Sequence, residues 1–266
     1  MAGVYSYNGQ DYQKRTLLSE TEGYLLASVV SGAIVSPLPY IGRSFQKQLN
    51  RQMHNNHIYR DYFDKAFDIS GLKEEGVTLV KAQHANVPAE YKLGLNAAYD
   101  PRYRKVIINT DRISAAGFHE LGHALNSLKS KYGIKYLAKL RVPGYAIAGL
   151  MEYFAVFSRT KPKGAPRNFV DVIEDNCGKI AFLAMMPTVI EEAAASYRGI
   201  KLAKNAGIND ALIKSMKQIY IKAHATYGGK AVLGGLAVFA SRKIMDMFTR
   251  PKPIEQTTNY PQEYIF

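Results

Sequence analysis

The chain has 266 residues, enough for one domain with an elaborated insert, and its 47% hydrophobic and 21% charged residues exclude global disorder. Its single cysteine, Cys177, excludes an intramolecular disulfide and a cysteine-built zinc site. The net charge of +13 is spread along the chain without a basic arm, finger spacing or an aromatic-and-basic RNA signature, so we expect an anionic membrane surface as partner and no nucleic acid.

The first apolar segment, residues 23–42, contains no charged side chain and is long enough to cross the hydrocarbon core of a bilayer. Pro37 and Pro39 would break the last turn of the predicted helix. The segment ends without a plain cleavage site, so we expect an anchor rather than a cleaved signal peptide. We therefore predict that residues 1–43 form a leader with a membrane anchor.

The next part of the chain is predicted to hold surface helices and a small sheet. Residues 43–67 are polar, with apolar residues at irregular helical spacing, and indicate one or two surface helices. Residues 77–80, Val-Thr-Leu-Val, are a short strand candidate. Residues 96–109 indicate a hairpin with its turn at residues 100–102, Asp-Pro-Arg. A helix is predicted to begin near Ser114.

That helix carries residues 119–123, His-Glu-Leu-Gly-His. Histidines four residues apart lie about 40° apart around a helix axis, so His119 and His123 can both reach one metal ion. Glu120 can face a water whose pKa zinc lowers to about 7, and take its proton as the hydroxide attacks a carbonyl. Residues 114–128 contain no lysine or arginine that would compete with the metal. The strand ahead of the helix could form the sheet edge that receives an extended substrate.

Further apolar segments follow at residues 143–158, 180–190 and 231–240. The first contains Glu152, and all three are shorter than a spanning helix, as buried core helices often are. Basic residues flank both sides of the first segment, whereas a spanning helix shows charge asymmetry. An interfacial or re-entrant segment fits this pattern better, and we predict an apolar helical insert at residues 143–190.

A catalytic zinc site needs a third protein ligand, which should lie downstream. No glycine-and-histidine continuation follows His123, which excludes the metzincin pattern. The candidates are Glu191 and Glu192, which are predicted to open a helix whose next turn is alanine. The small residues would allow this helix to pack tightly against the motif helix. Glutamates in a first helical turn are also ordinary dipole partners. Arg198 could pair with Glu191.

A transition state with a developing oxyanion also needs a hydrogen-bond donor. His224 and Tyr227 lie one turn apart near the predicted start of a late helix, and both are candidates. Tyr227 is favoured because a phenol donates at neutral pH, although a buried aromatic with its polar end satisfied is the alternative. His54 and His57 are three apart, but no carboxylate or cysteine accompanies them, so we expect surface histidines.

These segments resemble the gluzincin metallopeptidases of the membrane-associated HtpX and YugP types. In those families a Glu-x-x-Ala-Asp or Glu-x-x-Ala-Ser segment follows the His-Glu-x-x-His helix and supplies the third ligand. Here Glu192, Ala195 and Ser196 match that pattern. Residues 99–101, Tyr-Asp-Pro, and 225–227, Ala-Thr-Tyr, are similar to segments of the YugP type.

The resemblance implies Zn²⁺ held by His119, His123 and Glu192, with Glu120 and Tyr227 as catalytic residues. It also implies an α+β, mainly helical fold with a zincin-like domain, a small sheet beside the motif helix and a hydrophobic helical insert. Ser196 replaces the aspartate of the HtpX form, so we expect its hydrogen bond to a ligand histidine to be weaker or absent.

The sequence therefore predicts a zinc metallopeptidase that hydrolyses proteins or peptides and contacts membrane lipid. Residues 44–249 would form the peptidase domain and residues 250–266 a flexible tail. We expect a cell inner or plasma membrane, with the active site facing the cytoplasm. Two other readings stay open: a catalytically silent binding or assembly protein, and a zinc hydrolase of a non-peptide bond.

Overall fold

The computed structural model is mainly helical with short strands, which confirms the α+β, mainly helical class. It describes residues 4–7, 10–13, 17–53, 57–82, 97–110, 113–130, 133–158, 160–162 and 165–253. The helices are α1 (Leu17–Val35), α2 (Pro37–Met53), α3 (His57–Ser70), α4 (Ala115–Lys129), α5 (Ile134–Leu137), α6 (Arg141–Phe157), α7 (Phe169–Ala206) and α8 (Asp210–Thr249). The strands are β1 (Val4–Tyr7), β2 (Gln10–Gln13), β3 (Thr78–Ala82), β4 (Ala97–Asp100), β5 (Lys105–Asn109) and β6 (Lys252–Pro253).

The predicted small sheet has the strand order β3-β5-β4 and lies beside α4. β4 and β5 form the predicted antiparallel hairpin, in which Tyr99 pairs with Val106, and β3 joins β5 in parallel. The turn is stabilised by Asp100, whose Oδ1 accepts the backbone N–H of Arg102 at 2.9 Å. The central strand of the sheet is therefore β5, and β4 is an edge strand.

A second sheet, with the order β1-β2-β6, was not predicted from the sequence. β1 and β2 form an antiparallel hairpin, and β6 pairs with β2 through Tyr12 and Pro253. Lys252–Pro253, within the segment predicted as a flexible tail, form β6, and residues 254–266 lie outside the described residues. Pairing between the two ends of a chain leaves no local pattern in the sequence.

Two long antiparallel helices, α7 and α8, run through the whole molecule. The sequence predicted that one helix opens at Glu191 and another near Tyr227, and both predictions are wrong. The first residue of α7 is Phe169, where Asn168 and Asp171 form a reciprocal capping box, and the helix continues through Pro187. The cost of the lost hydrogen bond at a proline is offset here by the helices that pack on both sides of α7.

One half of the molecule packs α3, α4 and the β3-β5-β4 sheet against the C-terminal half of α7 and the N-terminal half of α8. Phe63 of α3 is fully buried, and its ring meets the ring of Phe118 edge-on at 5.4 Å. Ala66 is fully buried on the same side of the helix. α3 lies largely within the region predicted to form one or two surface helices, and its apolar stripe is part of the core.

The other half is an apolar bundle, defined here as α1, α6, residues 169–190 of α7 and residues 228–249 of α8. Its interior holds paired polar groups: Arg242 Nη2 lies 3.1 Å from Glu174 Oε2, and the hydroxyl of Ser241 donates to Glu152 at 3.0 Å. Its outer surface is largely apolar, with exposed charged residues at Asp175, Lys179, Lys230 and Lys243. The exposed large side chains on α6 are Val142, Tyr145, Ile147, Leu150, Tyr153 and Phe157.

Close contact between α7 and α8 in the bundle depends on Gly178. A Cβ atom added there would lie 2.8 Å from the carbonyl oxygen of Gly235, closer than real Cβ contacts. We predict that Gly178→Ala destabilises the protein by about 1–3 kcal/mol through overpacking, measured by thermal unfolding in detergent. Gly149→Ala is the matched control, because nothing lies within 4 Å of its added Cβ, and it should be neutral or stabilising by up to about 1 kcal/mol. Equal effects of the two substitutions would contradict the prediction.

Candidate metal centre

The helix that carries the two histidines, α4, begins where the sequence predicted. Ser114 is its N-cap, and the Ser114 hydroxyl oxygen accepts the backbone N–H of Ala116 at 3.2 Å. Phe118 and Leu121 are fully buried in the core and fix the rotation of the helix about its axis. That rotation turns His119 and His123 toward a cavity on the opposite side.

Three of the predicted site residues bring one donor atom each to a common point. His119 Nε2 lies 2.9 Å from His123 Nε2 and 3.1 Å from Glu192 Oε2. His123 Nε2 lies 3.7 Å from the same oxygen. Donors about 2.0–2.1 Å from a zinc ion at tetrahedral angles lie about 3.3 Å from each other. The three distances bracket this value, so the donor set fits a zinc ion.

Glu192 reaches this point because α4 and α7 cross in close contact. A Cβ atom added at Gly122 would lie 2.0 Å from the carbonyl oxygen of Ala195, and one added at Gly199 would lie 2.6 Å from that of Phe118. Neither position can accept a side chain without moving a helix. The contact thus depends on small residues, as expected from the alanine-rich turn after Glu192.

Each histidine ring is held by a hydrogen bond at its other nitrogen. His119 Nδ1 lies 3.0 Å from Ser196 Oγ, and His123 Nδ1 lies 2.7 Å from Glu191 Oε1. The hydrogen bond from Ser196, which was expected to be weaker than that of an aspartate or absent, is present, because the close crossing of the helices brings its short side chain within reach. Both Nε2 atoms are left to face Glu192. Partners of this kind set the tautomer and orientation of a ligating imidazole.

Glu191 is therefore a partner of His123 rather than a member of the donor set. Asn126 Nδ2 donates to Glu191 Oε1 at 3.2 Å, and Arg141 Nη2 lies 3.2 Å from Glu191 Oε2. The predicted pairing of Glu191 with Arg198 is wrong, since Arg198 donates to the carbonyl oxygen of Leu125 at 2.9 Å. The close crossing of α4 and α7 turns Glu191 toward the histidines and leaves Arg198 beside the end of α4.

Sequence reasoning missed Arg141, which also contacts Glu192 Oε1. Residues 114–128 contain no basic side chain that would compete with the metal. Arg141 enters the site from outside that range, at the start of α6. The signal available in the sequence was the glutamate pair itself. Two adjacent carboxylates that are both buried require a cation nearby.

The buried carboxylates change the pKa of the groups around them. Burial alone would lower the pKa of His123, but the hydrogen bond to Glu191 and the charges of Glu120, Glu191 and Glu192 raise it to about 9. Burial alone would raise the pKa of Glu192, but the hydrogen bond to His119 and the nearby positive charges lower it to about 2. Glu192 is therefore a carboxylate over the physiological range of pH, as a metal ligand must be.

Glu120 and Tyr227 line the same cavity of about 440 Å³ as the three donor atoms. Glu120 Oε2 accepts the backbone N–H of Tyr99 at 2.9 Å, so the side of β4 that pairs with no strand among the described residues faces the cavity. The sequence predicted that the strand directly ahead of α4 forms the sheet edge at the site. That strand is β5, which lies in the centre of the sheet, and the edge at the site belongs to β4. Burial raises the pKa of the Tyr227 phenol, which keeps it protonated and able to donate.

His224, the other candidate donor for an oxyanion, points away from the donor set. Its Nε2 lies 3.1 Å from Ser196 Oγ and 3.3 Å from the carbonyl oxygen of Glu192. It supports the residues that orient the donors, so of the two candidate donors for an oxyanion only Tyr227 lines the cavity. His54 lies outside the described residues, and so does the side chain of His57.

Comparison of the chain with known protein families, with curated proteins and with solved structures gives no match. No family membership therefore assigns a role to these residues. Their chemistry follows from geometry: the imidazoles of His119 and His123 and the buried carboxylate of Glu192 converge on one point, and Glu120 and Tyr227 line the same cavity.

We predict that Glu191→Gln lowers the pKa of His123 in the metal-free protein, because a charge and a charged acceptor are lost while burial remains. The pKa of His123 lies above its ordinary value of 6.5, so its contribution to stability is present below pH 6.5 and lost as pH rises through about 9. In the variant this contribution should be smaller, and its loss should be complete at a lower pH than in the wild type. NMR titration of the histidine ring measures the pKa, and an unchanged value would contradict the assigned pairing.

Proposed function

We propose that this protein is a zinc-dependent peptidase with a zincin-like catalytic domain, working at a membrane. The observation that carries the proposal is the spacing of 2.9, 3.1 and 3.7 Å among His119 Nε2, His123 Nε2 and Glu192 Oε2. Two histidines with one glutamate are a ligand set that catalytic zinc sites use, with a further position left for water or substrate. The cavity supplies the space for that position.

When bound there, a zinc ion would acidify a water molecule and polarise the carbonyl group of the substrate. Glu120 would accept the proton of the attacking water and pass it to the leaving amine, as a general base and then a general acid. The backbone N–H of Tyr99 holds the Glu120 carboxylate in place for this role. The protonated phenol of Tyr227 would donate to the developing oxyanion.

A peptide substrate is favoured by the position of β4. Ala97, Tyr99 and Pro101 line the cavity, and within the described part of the chain β4 has a strand partner on one side only, β5. An extended peptide can add to such an edge through main-chain hydrogen bonds. It would then lie across the donor set with a carbonyl group close to Glu120.

A membrane location is supported by the apolar bundle. The helical segment 18–45 is, by length and composition, the one candidate span among the described residues. Leu25 and Val29 of that segment are 64% and 68% exposed, and the exposed large side chains of α6 are apolar as well. Large exposed apolar surfaces of this kind mark contacts with lipid or with another protein. We propose that lipid covers the bundle.

The proposed orientation places the metal centre on the cytoplasmic side of a cell inner or plasma membrane. The C-terminal half of α7 carries Glu192, and the N-terminal half of α8 packs against it. Both present exposed lysines, including Lys201, Lys204 and Lys217. Cytoplasmic segments carry an excess of lysine and arginine, and anionic lipid headgroups attract them.

The proposed activity is tested with wild type, Glu120→Gln and Glu192→Ala. Glutamine retains an oxygen that can accept from Tyr99, so Glu120→Gln should keep bound zinc while cleavage of casein or a peptide library falls about 10²–10⁴-fold. Glu192→Ala should lose zinc because a ligand is removed. Bound metal is measured by atomic absorption. Wild type without zinc would refute the metal centre, and zinc without cleavage would indicate an assembly protein or a hydrolase of another bond.

The proposed membrane location is tested by carbonate extraction. Wild type should stay in the membrane pellet. The double variant Leu25→Asp with Val29→Asp should move toward the supernatant, because charged residues are costly in the bilayer core. Ile221→Asp is the matched control, since Ile221 is 66% exposed but lies outside the apolar bundle. Release of the wild type by carbonate would contradict the location.

A further inference from the structure

We infer that Arg141 is a positioning residue: its guanidinium orients Glu191 and Glu192 so that one oxygen of Glu192 faces the metal position. The inference rests on the proposed zinc site, whose ligands Arg141 does not join. Arg141 acts through two carboxylates, and each of those acts on a histidine. It is the first residue of α6 and so comes from the apolar bundle rather than from the motif helix.

The contacts divide the four carboxylate oxygens into two pairs. Glu191 Oε1 faces His123 at 2.7 Å, and Glu192 Oε2 faces His119 at 3.1 Å. The remaining oxygens, Glu191 Oε2 and Glu192 Oε1, both meet Arg141 Nη2. A carboxylate held at both oxygens cannot rotate about its terminal bond. Arg141 thus fixes which oxygen of each glutamate is turned toward a histidine.

The charges of the site require such a cation. Glu120, Glu191 and Glu192 carry three negative charges around the metal position, and a divalent ion would leave a net charge of about −1. The guanidinium of Arg141 brings that balance to zero. Glu191 and Glu192 are each 2% exposed, so water does little to screen their repulsion. Removing one partner from a buried ion pair leaves an uncompensated charge.

The same geometry argues against Arg141 as a competitor of the metal. A competing cation would sit among the donor atoms that the metal uses, namely the two Nε2 atoms and Glu192 Oε2. The contacts of Arg141 are instead with the opposite oxygens of the two glutamates. Metal and guanidinium can therefore bind Glu192 together, one at each oxygen.

The backbone of Arg141 is held in place by close packing of α6 on α7. A Cβ atom added at Gly144 would lie 2.2 Å from the carbonyl oxygen of Ala184, so the first turn of α6 touches the backbone of α7. Ala184 lies about two turns of helix before Glu191 and Glu192. This contact holds the start of α6, and so the backbone of Arg141, close to the part of α7 that carries both glutamates.

The test compares the zinc affinity of wild type, Arg141→Ala and Lys139→Ala, each purified in detergent and titrated against a chromophoric chelator. We expect Arg141→Ala to raise the zinc dissociation constant about 10–100-fold, as loss of a ligand-orienting partner does. Lys139→Ala removes the same charge from the preceding turn, where the Lys139 ammonium lies over the ring of Tyr136, and should leave zinc affinity unchanged. Guanidinium added at millimolar concentration should partly restore the affinity of Arg141→Ala, which a misfolded chain would not show.

Each outcome decides the inference. Zinc affinity of Arg141→Ala equal to wild type would overturn it, and tighter binding would identify Arg141 as a competitor. Should Arg141→Ala not fold, Arg141→Lys decides instead. The lysine nitrogen ends about one bond short of the position of Arg141 Nη2 and so does not reach both carboxylates from the same backbone position. Several-fold weaker zinc binding is therefore expected, and wild-type affinity would overturn the inference. Absence of zinc from the wild type would refute the proposed function and is therefore a distinct result.

Discussion

Burial of two adjacent carboxylates on one helix is the constraint around which the molecule is arranged. Glu191 and Glu192 are almost fully withdrawn from water, yet both stay ionised because positive or hydrogen-bonding groups surround them. Histidines reach them from α4 and an arginine from α6. Unpaired, each buried carboxylate would cost several kcal/mol. Helices α4, α6 and α7 must therefore meet at one place.

The length of α7 gives this meeting point its surroundings. Its N-terminal half belongs to the apolar bundle, and its C-terminal half packs against α4 and carries the glutamates. A continuous helix of this kind is a rigid connection, since 38 residues extend over about 57 Å. The proposed metal centre therefore lies at the border between the bundle and the domain with the small sheet. A membrane-bound peptidase would have its catalytic site close to the lipid surface.

Close backbone contacts make the arrangement possible. Gly122 lies between the two histidines of the motif, and Gly144 lies one turn after Arg141. At each of them a side chain would collide with a carbonyl oxygen of α7. The spacing of the metal donors in the sequence does not reveal the role of these glycines, because they determine how closely two helices approach each other. It is nevertheless as necessary to the centre as the histidines are, since an added Cβ would push the ligands apart.

Local chemistry in the sequence determined the motif helix, the hairpin before it, the apolar segments and the two histidines of the donor set. These depend on neighbours within a few residues: a capping serine, a turn at Asp100, and histidines one helical turn apart. The tertiary structure alone decided the long continuous helices, the edge role of β4, the partner of Ser196 and the presence of Arg141. Each of these depends on which surfaces meet across the fold, and such contacts leave no periodic trace in the chain. The physical reason is that burial energies and ion pairs act between residues that are close in space, whatever their separation in sequence.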